Sequence, residues 1–532
     1  EMQRSLVGSE MCIRDSIRVG SVIVPFVLFI FAVVVCVVYE FRGIPMMAPD
    51  ILTVQTATSV MGNYTFKLTF EQYSVILVCM AFFFTFLRLH EVKVTEKRVF
   101  HIAGFIVVAL GCGLFTNQII LSDFMEEHQI NIRMFRPMES YQKYGGVLTF
   151  ARSVGYAVVK KPEGYTTAKV DQIIQEYEKK SANEQQSTAK QYPNIITVVN
   201  ETFADIKVLG DFKTNEDYMP YFHSLKKNCV TGYTYASIVG GQTANTEFEL
   251  LTGNTLGFLS AGTTAFQLYI HGQMPSLVSN LKAEGYSGNK AMHPFNPYNY
   301  NRPAVYKDFG FTDFIDKFDF PKNVKRVREY ISDEANVDRI ISEYEKNRKK
   351  TDQPFYMYNM TIQNHSPYDK DAANFKQPIK IESSKYDAEA NRYLNLIKYS
   401  DDSLKQLTSY FEKCKEPTII LFLGDHQPRL TDEFMNKITN GQYQTWSSEQ
   451  MMKRYQVPFV IWANYDIKEQ HIEKTSMNYI QSILTQTAGV KMTGYQRFLN
   501  EVQKEVPTIT SQGYWGKNGK FYQINDKGSP YY

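Results

Sequence analysis

The sequence predicts an α/β protein in which N-terminal transmembrane helices precede an extracytoplasmic domain with a mostly parallel central sheet. Three observations predict this class. Long apolar stretches are confined to the part of the chain before Leu121. Beyond residue 191, short apolar runs typical of buried strands alternate with helical patterns. Basic residues are concentrated in a short loop between two of the apolar stretches.

The composition excludes several classes of protein. The chain has 532 residues, of which 44% are hydrophobic and 21% are charged, as in folded proteins. The 58 Lys and Arg against 55 Asp and Glu leave a net charge of +3, which gives no basis for a nucleic-acid partner. Six cysteines without a CxxC motif exclude a disulfide scaffold and a zinc ribbon. Whether Cys229 and Cys414 pair stays open, because sequence carries no geometry.

The chain divides into four predicted segments. We expect residues 1–16 (EMQRSLVGSEMCIRDS) to be non-native, because they resemble a translated sequencing adapter. A membrane domain is predicted at residues 17–121, and we expect the native protein to extend further upstream. A helical connector at residues 122–190 and a globular domain at residues 191–532 follow.

Three apolar stretches predict membrane-spanning helices, at residues 19–39, 73–87 and 100–121. A span needs about 20 residues, so the shorter second stretch also fits a buried core helix. The loop between the second and third stretches is basic, and such loops face the cytoplasm. Its cations are Arg88, Lys93, Lys97 and Arg98. The globular domain is therefore predicted on the extracellular side of a multi-pass protein of the cell membrane.

The globular domain contains four short apolar runs that predict buried strands. They lie at residues 195–199, 355–362, 418–423 and 458–463. Helical patterns between them, such as residues 388–411 and 476–488, predict helices on both faces of a mostly parallel sheet. The connector is expected to be a polar spacer with one helix at residues 167–180.

Reactive side chains follow three of those runs. Glu201 follows the first run, His365 follows the second, and Asp425 and His426 follow the third. Ligands gather at the carboxyl ends of parallel strands. An acidic residue after one strand is most often a helix cap or a solvated group, but the three ends together predict a shared site.

A glycine pair precedes a hydroxyl residue in GGQTANTEFELL, residues 240–251. The helical run after it places Thr243 near a helix N-terminus, where backbone amides favour an anion. Thr243 is therefore either an N-cap residue or a nucleophile that a base or a metal ionises. Glu247 and Glu249 are expected on the helix surface or as supporting groups.

Four side chains would offer three oxygens and one nitrogen to a divalent cation: Glu201, Thr243, Asp425 and His426. This donor set suits Mn²⁺, with Mg²⁺ or Zn²⁺ as alternatives. A metal there would lower the pKa of the threonine hydroxyl and take up negative charge in the transition state. Further groups are needed to hold a phosphoryl group. The candidates are His293, Arg302 and His365.

In combination, the motifs VVNETF, GGQTANTEFELLTG, NHSPY and LGDHQP resemble those of the lipoteichoic acid synthase and phosphoglycerol transferase group of the alkaline phosphatase/sulfatase superfamily. The resemblance covers nearly all of the chain beyond Ser16. It implies a sulfatase-like α/β domain that moves glycerol phosphate from phosphatidylglycerol through a phosphothreonine. The acceptor would be a polyglycerophosphate chain, a glycolipid or a glycan.

The resemblance also implies residue roles. Thr243 would be the nucleophile that becomes covalently glycerophosphorylated. The metal ligands would be Glu201, Thr243, Asp425 and His426. The side chains around the phosphate or the glycerol would be His293, Arg302 and His365.

Two departures bear on the substrate. Some synthases have Trp and Asp near the position of Arg302, whereas this chain has Tyr300 and Phe295, so glycerol recognition is expected to differ. A related phosphoester transferase or hydrolase, for example one for phosphoethanolamine, is therefore the alternative function. Sulfate ester hydrolysis is disfavoured because Thr243 lacks a C/S-x-P-x-R context. A non-catalytic envelope scaffold is a third hypothesis, and it predicts no tightly bound metal.

Overall fold

The computed structural model describes most of the chain. The described residues are 23, 25–39, 45–53, 70–88, 98–121, 124–128, 137–155, 161, 164–182, 192–259, 263–382, 388–441, 443–524 and 526–531. Residues 1–16, predicted to be non-native, lie outside them. The chain forms two compact units, one comprising Glu1–Ile51 and Gly62–Val159, the other Leu52–Met61 and Lys160–Tyr532.

The described part of the first unit consists mainly of helices. They are α1 (Pro25–Tyr39), α2 (Phe70–Arg88), α3 (Arg98–Phe115), α4 (Phe124–Glu127), α5 (Pro137–Tyr144) and α6 (Gly146–Gly155). Helices α1 to α3 overlap the three stretches predicted to span a membrane. Among the described residues, one helical stretch, Ala103–Ile120, is long and apolar enough for a span, and α1 is a shorter apolar helix. The three-span anchor therefore stays a prediction.

After Lys160 the second unit continues with the connector helix α7 (Thr167–Ala182), which confirms the helix predicted there. Its other helices are α8 (Pro220–Ser224), α9 (Thr243–Thr252), α10 (Ala265–Leu268), α11 (Leu277–Ala283), α12 (Arg302–Phe309), α13 (Asp333–Arg348), α14 (Ala388–Phe411), α15 (Asp432–Ile438), α16 (Ser448–Met451), α17 (Met477–Thr487) and α18 (Gly494–Glu505). Helix α7 packs on α18, with the Tyr177 and Phe498 ring centroids 5.5 Å apart.

The strands of the second unit are short. They are β1 (Asn194–Asn200), β2 (Cys229–Tyr235), β3 (Ser287–Met292), β4 (Asp313–Ile315), β5 (Arg326–Val327), β6 (Tyr330–Ile331), β7 (Phe355–Met360), β8 (Thr418–Gly424), β9 (Gln456–Ala463), β10 (Gln470–Ser476), β11 (Thr508–Thr510), β12 (Gly513–Trp515) and β13 (Phe521–Tyr522). All four predicted strands are confirmed, as β1, β7, β8 and β9.

One sheet of eight strands organises the described part of this unit. Its order is β10–β2–β9–β8–β1–β7–β3–β4. Neighbouring strands are parallel except at β9, which runs antiparallel to both β8 and β2. The prediction of a mostly parallel sheet is therefore confirmed.

Strand β1 is buried on both faces, because successive side chains of a strand point to opposite sides. Ile195 and Val199 belong to a hydrophobic cluster with α9, α11, α12 and α17. Ile196 and Val198 belong to a second cluster with α13, α14 and α15. The prediction of helices on both faces is confirmed.

Cys229 and Cys414 are both free thiols, which answers the question of pairing left open above. Burial raises the pKa of both thiols, that of Cys229 to about 12. Neither cysteine is therefore an activated nucleophile.

The register of β1 with its neighbours determines what meets at the carboxyl edge of the sheet. Asn200 of β1 pairs with Gly424 of β8, so the next residues, Glu201 and Asp425, leave the sheet side by side. The turn after β1 also crosses close over β8: a Cβ atom at Gly424 would lie 1.8 Å from the backbone oxygen of Phe203.

Replacement of Gly424 should therefore disturb this turn. We expect Gly424→Ala to lower the free energy of unfolding by about 1–3 kcal/mol, because backbone must shift to admit the methyl group. Urea unfolding measures the change. Gly441→Ala is the matched control, since a Cβ there meets nothing within 4 Å. Equal stability of the two variants would contradict the close approach.

Candidate active site

Three buried side chains converge at the carboxyl ends of β1 and β8. Ligand atoms of Glu201, Asp425 and His426 all lie within 4.8 Å of one another. The His426 Nε2 atom is 3.3 Å from Asp425 Oδ2 and 3.8 Å from Glu201 Oε1. Residues 224 positions apart in the chain thus share one point in space, as the strand register requires.

The hydrogen bonds around this cluster show which atoms remain available. His426 Nδ1 lies 3.0 Å from the backbone oxygen of Gln427. A carbonyl only accepts, so Nδ1 carries the hydrogen, and in the neutral ring Nε2 has a lone pair. Asp425 Oδ1 accepts from the backbone amides of Thr202 (2.6 Å) and His426 (2.8 Å). His426 Nε2 and Asp425 Oδ2 are buried and have no hydrogen-bond partner among the described residues.

These two unpartnered acceptors indicate a cation site. Two lone pairs that face each other in a buried position repel unless a positive charge lies between them. Burial raises the pKa of Glu201, and the neighbouring Asp425 carboxylate raises it further. Two carboxylate oxygens and one imidazole nitrogen fit a divalent transition metal. The residues present therefore fit the metal that the sequence predicts.

Thr243 is the first residue of α9 and lies beside this cluster. Its Oγ1 is 3.5 Å from Glu201 Oε2. Gly240, Gly241 and Gln242 precede it with φ angles of +70°, +148° and +65°, so the chain turns sharply into the helix. The N-cap residue is Gln242, so of the two interpretations left open, the one in which Thr243 is the N-cap is wrong.

Two side chains of helix α9 hold it in place, one of them against the cluster of Glu201, Asp425 and His426. Thr246 Oγ1 donates to the backbone oxygen of Asp425 at 2.8 Å. Asn245 Nδ2 donates to the backbone oxygen of Thr263 at 2.7 Å. The position of the Thr243 hydroxyl relative to the carboxylates is therefore set by a rigid element.

Two of the predicted substrate-binding residues, His293 and His365, follow strands β3 and β7. In each, a backbone carbonyl lies at hydrogen-bond distance from Nδ1: Met360 at 3.0 Å for His293, and Ser366 at 2.7 Å for His365. Both rings therefore leave Nε2 unprotonated when neutral. Burial lowers the pKa of His293, with Arg302 adding to the effect, and burial lowers that of His365 to about 4.

Arg302, the third predicted substrate-binding residue, is tied to Glu247. Glu247 Oε1 accepts from Arg302 Nε (3.1 Å) and Nη2 (2.6 Å). Its Oε2 accepts from the hydroxyls of Tyr306 and Tyr358. Glu247 is fully buried, so of the two expectations for it the helix-surface position is wrong, and the supporting role is the one that fits. Its spacing of four residues from Thr243 was the available signal, since such residues share a helix face.

Glu249 is also buried, on the same helix but in a separate network. Its Oε1 accepts from Ser237 Oγ at 2.7 Å and from the backbone amide of Leu256 at 2.9 Å. Burial raises its pKa to about 7. Of the two expectations for Glu249, the surface position is therefore wrong as well, and a supporting role remains.

Arg328 is a residue that the sequence did not single out. From the turn between β5 and β6 it donates to the backbone oxygens of Gln363 (2.8 Å), His365 (2.7 Å) and Pro367 (2.7 Å). It therefore holds the loop that carries His365. No local pattern predicts this contact, because a guanidinium that binds backbone carbonyls needs no particular partner side chain.

The two residues that depart from the family pattern both lie at the site. The Phe295 ring stacks on His365, with centroids 6.4 Å apart and planes at 19°. The Arg302 guanidinium lies 5.1 Å from the centroid of the Tyr300 ring. The surroundings of the predicted phosphoryl site are therefore aromatic.

Residues 193–490 match the family model described as Sulfatase. Because this region is more than half of the chain, the chain belongs to the sulfatase family. The observed α/β unit with its mostly parallel sheet is the sulfatase-like domain expected from the sequence motifs.

The relatives of this chain carry different names. A protein named for cyclic beta-1,2-glucan modification, from Rhizobium meliloti (strain 1021), is 31% identical over 395 residues, which are 73% of this chain and 59% of that protein. A lipoteichoic acid synthase of Staphylococcus saprophyticus is 24% identical over 374 residues, 67% of this chain and 55% of that protein. The chain thus spans less than two thirds of the length of these relatives.

A solved structure shares the fold. The phosphoglycerol transferase GacH of Streptococcus pyogenes, in complex with sn-glycerol-1-phosphate, superposes with a TM-score of 0.56 at 20% sequence identity. The match covers 65% of this chain and 88% of that one.

Metal binding should stabilise the protein through these three ligands. Mn²⁺ at a hundred times its dissociation constant is expected to raise the free energy of unfolding by about 2.7 kcal/mol. His426→Gln removes the Nε2 lone pair, so Mn²⁺ should not raise the free energy of unfolding of this variant. His471→Gln is the control, because His471 is exposed. Urea unfolding with and without Mn²⁺ measures the effect; the same gain in His426→Gln would refute the assignment of the site.

Loss of the Arg328 guanidinium should loosen the loop that carries His365. We expect Arg328→Met to lower the free energy of unfolding by about 2–3 kcal/mol, because three carbonyls lose a charged donor. Amide hydrogen exchange in residues 363–368 should accelerate. Arg326→Met is the control, since Arg326 is exposed and donates to one carbonyl, that of Glu329. Unchanged exchange in Arg328→Met would show that the loop keeps its conformation without Arg328.

Proposed function

We propose that this member of the sulfatase family is a metal-dependent phosphoglycerol transferase. It would move glycerol phosphate from phosphatidylglycerol to an envelope acceptor through a phosphothreonine at Thr243. One observation carries the proposal. Thr243 is the first residue of α9, and its hydroxyl oxygen lies 3.5 Å from Glu201 Oε2. In the same cluster, Asp425 Oδ2 and His426 Nε2 are buried and have no hydrogen-bond partner among the described residues.

Four residues would hold the metal: Glu201, Thr243, Asp425 and His426. Mn²⁺ suits this set best, with Mg²⁺ or Zn²⁺ as alternatives. When bound, the metal would lower the pKa of the Thr243 hydroxyl and supply positive charge beside the phosphoryl oxygens.

In the first half of the reaction, Thr243 Oγ1 attacks the phosphorus of the donor. A bond forms between Oγ1 and phosphorus, and the bond from phosphorus to the diacylglycerol oxygen breaks. The threonine loses its hydroxyl proton and the leaving diacylglycerol gains one. His293 and His365 can relay this proton, because their Nε2 atoms are unprotonated acceptors.

In the second half, a hydroxyl of the acceptor attacks the phosphothreonine. The new phosphodiester bond forms, the bond between phosphorus and Oγ1 breaks, and the acceptor proton returns to Thr243. The N-terminal amides of α9 stabilise the negative charge at this position in both halves. The enzyme therefore ends each cycle unchanged.

The acceptor is a polyglycerophosphate chain, a glycolipid or a glycan. The Rhizobium meliloti relative, named for glucan modification, favours a glycan. We place the protein in the cell membrane as a multi-pass protein with the catalytic domain on the extracellular side. The basic loop at residues 88–98 supports this orientation.

A second candidate is the transfer of phosphoethanolamine or another phosphoester. The aromatic rings around the predicted phosphoryl site favour it, because rings attract an ammonium group. Phe295 and Tyr330 lie 6.4 Å and 5.8 Å, centroid to centroid, from the His365 ring. Comparison of donor lipids that differ only in the headgroup separates the two candidates.

Mass spectrometry of the intact protein tests the proposal. After incubation with Mn²⁺ and phosphatidylglycerol, we expect one glycerol phosphate adduct, located on Thr243, and release of diacylglycerol. Thr243→Ala should give no adduct and no transfer.

Thr252→Ala is the control for this experiment. Its hydroxyl is on the same helix but donates to the backbone oxygen of Phe248 at 2.6 Å, so the adduct should persist. An adduct on another residue, or full transfer by Thr243→Ala, would reject the mechanism. An adduct formed from phosphatidylethanolamine instead would favour the second candidate.

A further inference from the structure

Glu247 and Arg302 form a fully buried ion pair. Their exposed fractions are 0% and 1%. The Glu247 carboxylate accepts four hydrogen bonds, two from Arg302 and one each from Tyr306 and Tyr358. Burial lowers the pKa of the Arg302 guanidinium, but Glu247 more than offsets this, and the net pKa is raised. Arg302 therefore keeps its charge, and Glu247 balances it.

The pair borders the proposed phosphoryl site. Glu247 lies one helical turn after Thr243, on the same side of α9. The charge of Arg302 is close enough to affect the pKa of both Glu201 and His293. Glu247 occupies Nε and Nη2 of the guanidinium.

The charges at the site cancel before any substrate binds. Glu201 and Asp425 balance a divalent cation, and Glu247 balances Arg302. His293 and His365 are neutral near pH 7, since the pKa of each is lowered. The site thus contains an arginine whose positive charge is already balanced by Glu247.

Two other cations near these residues, Arg328 and Lys317, contact other groups. Arg328 donates to three backbone carbonyls. Lys317 Nζ lies 5.8 Å and 5.0 Å from the ring centroids of Phe295 and Phe318. Carbonyl groups and aromatic rings therefore orient these two cations.

We propose that Glu247 determines substrate charge: by balancing Arg302 it makes the site accept singly charged phosphodiesters and disfavour doubly charged phosphate monoesters. The inference rests on the proposed function, in which donor, phosphothreonine and product are all phosphodiesters. A second negative charge in this buried site would gain no net attraction from Arg302, because Glu247 already balances it. Removal of the Glu247 charge would leave Arg302 uncompensated and admit the monoester.

Ligand binding to the full chain loaded with Mn²⁺ tests this inference by isothermal titration calorimetry at pH 8. The probes are glycerol phosphate, a dianion, and glycerophosphoglycerol, a monoanion. The measured quantity is the dissociation constant of the monoester divided by that of the diester. We expect Glu247→Gln to lower this ratio about tenfold, because one net positive charge strengthens binding of the dianion more.

Glu249→Gln is the matched control, because Glu249 is equally buried on the same helix but binds Ser237 and Leu256. The ratio of dissociation constants in this variant should stay within about twofold of the wild-type ratio, because Glu249 is not coupled to Arg302. The double variant Glu247→Gln/Arg302→Gln removes both charges and should also keep the wild-type ratio. An unchanged ratio in Glu247→Gln, or equal losses for both ligands, would overturn the inference.

If Glu247→Gln fails to fold, two other proteins decide the question. The double variant leaves no unpaired buried charge, and its ratio should match wild type. Arg302→Gln leaves a net negative site, and its ratio should rise about tenfold, because the dianion is repelled more. Equal ratios in these two variants would overturn the inference. Binding needs no turnover, so a shifted ratio without a Thr243 adduct would reject the proposed function alone.

Discussion

The forced proximity of two buried carboxylates is the constraint on which the rest of the site depends. Strands β1 and β8 are parallel and in register, so Glu201 and Asp425 emerge at one point of the sheet edge. His426 brings a lone pair to the same point, 3.3 Å from an aspartate oxygen. Buried groups of this kind cost several kcal/mol unless a positive charge meets them. The fold therefore creates a buried cluster of acceptor groups that a bound cation would stabilise.

Backbone groups, more than side chains, orient the reactive atoms. Carbonyl oxygens lie at hydrogen-bond distance from Nδ1 of His293, His365 and His426, so all three rings present Nε2. Helix α9 adds a common frame, because it carries Thr243 and Glu247 on one face. Main-chain atoms of a packed sheet and helix move little, so hydroxyl, carboxylates and imidazoles keep their relative positions. A site preorganised in this way needs little rearrangement during reaction.

Much of the fold could be predicted because its central strands are buried on both faces. Such strands read as unbroken apolar runs, and β1, β7, β8 and β9 do. The strands β2, β3, β4 and β10 were not predicted, since segments such as SGNKAM and QHIEKTS carry no apolar run. Their membership is decided by hydrogen bonds to neighbouring strands. His293, which directly follows β3, could therefore be identified by motif but not located by pattern.

The amino-acid sequence by itself determined the class of fold and the identities of the groups at three strand ends, because burial and reactive chemistry are both local properties of a residue string. Tertiary structure alone decided the rest. Three contacts join distant segments: His293 with the carbonyl of Met360, Glu247 with Arg302, and Arg328 with the loop that carries His365. Such contacts depend on strand order and register, and nothing within either segment specifies its partner.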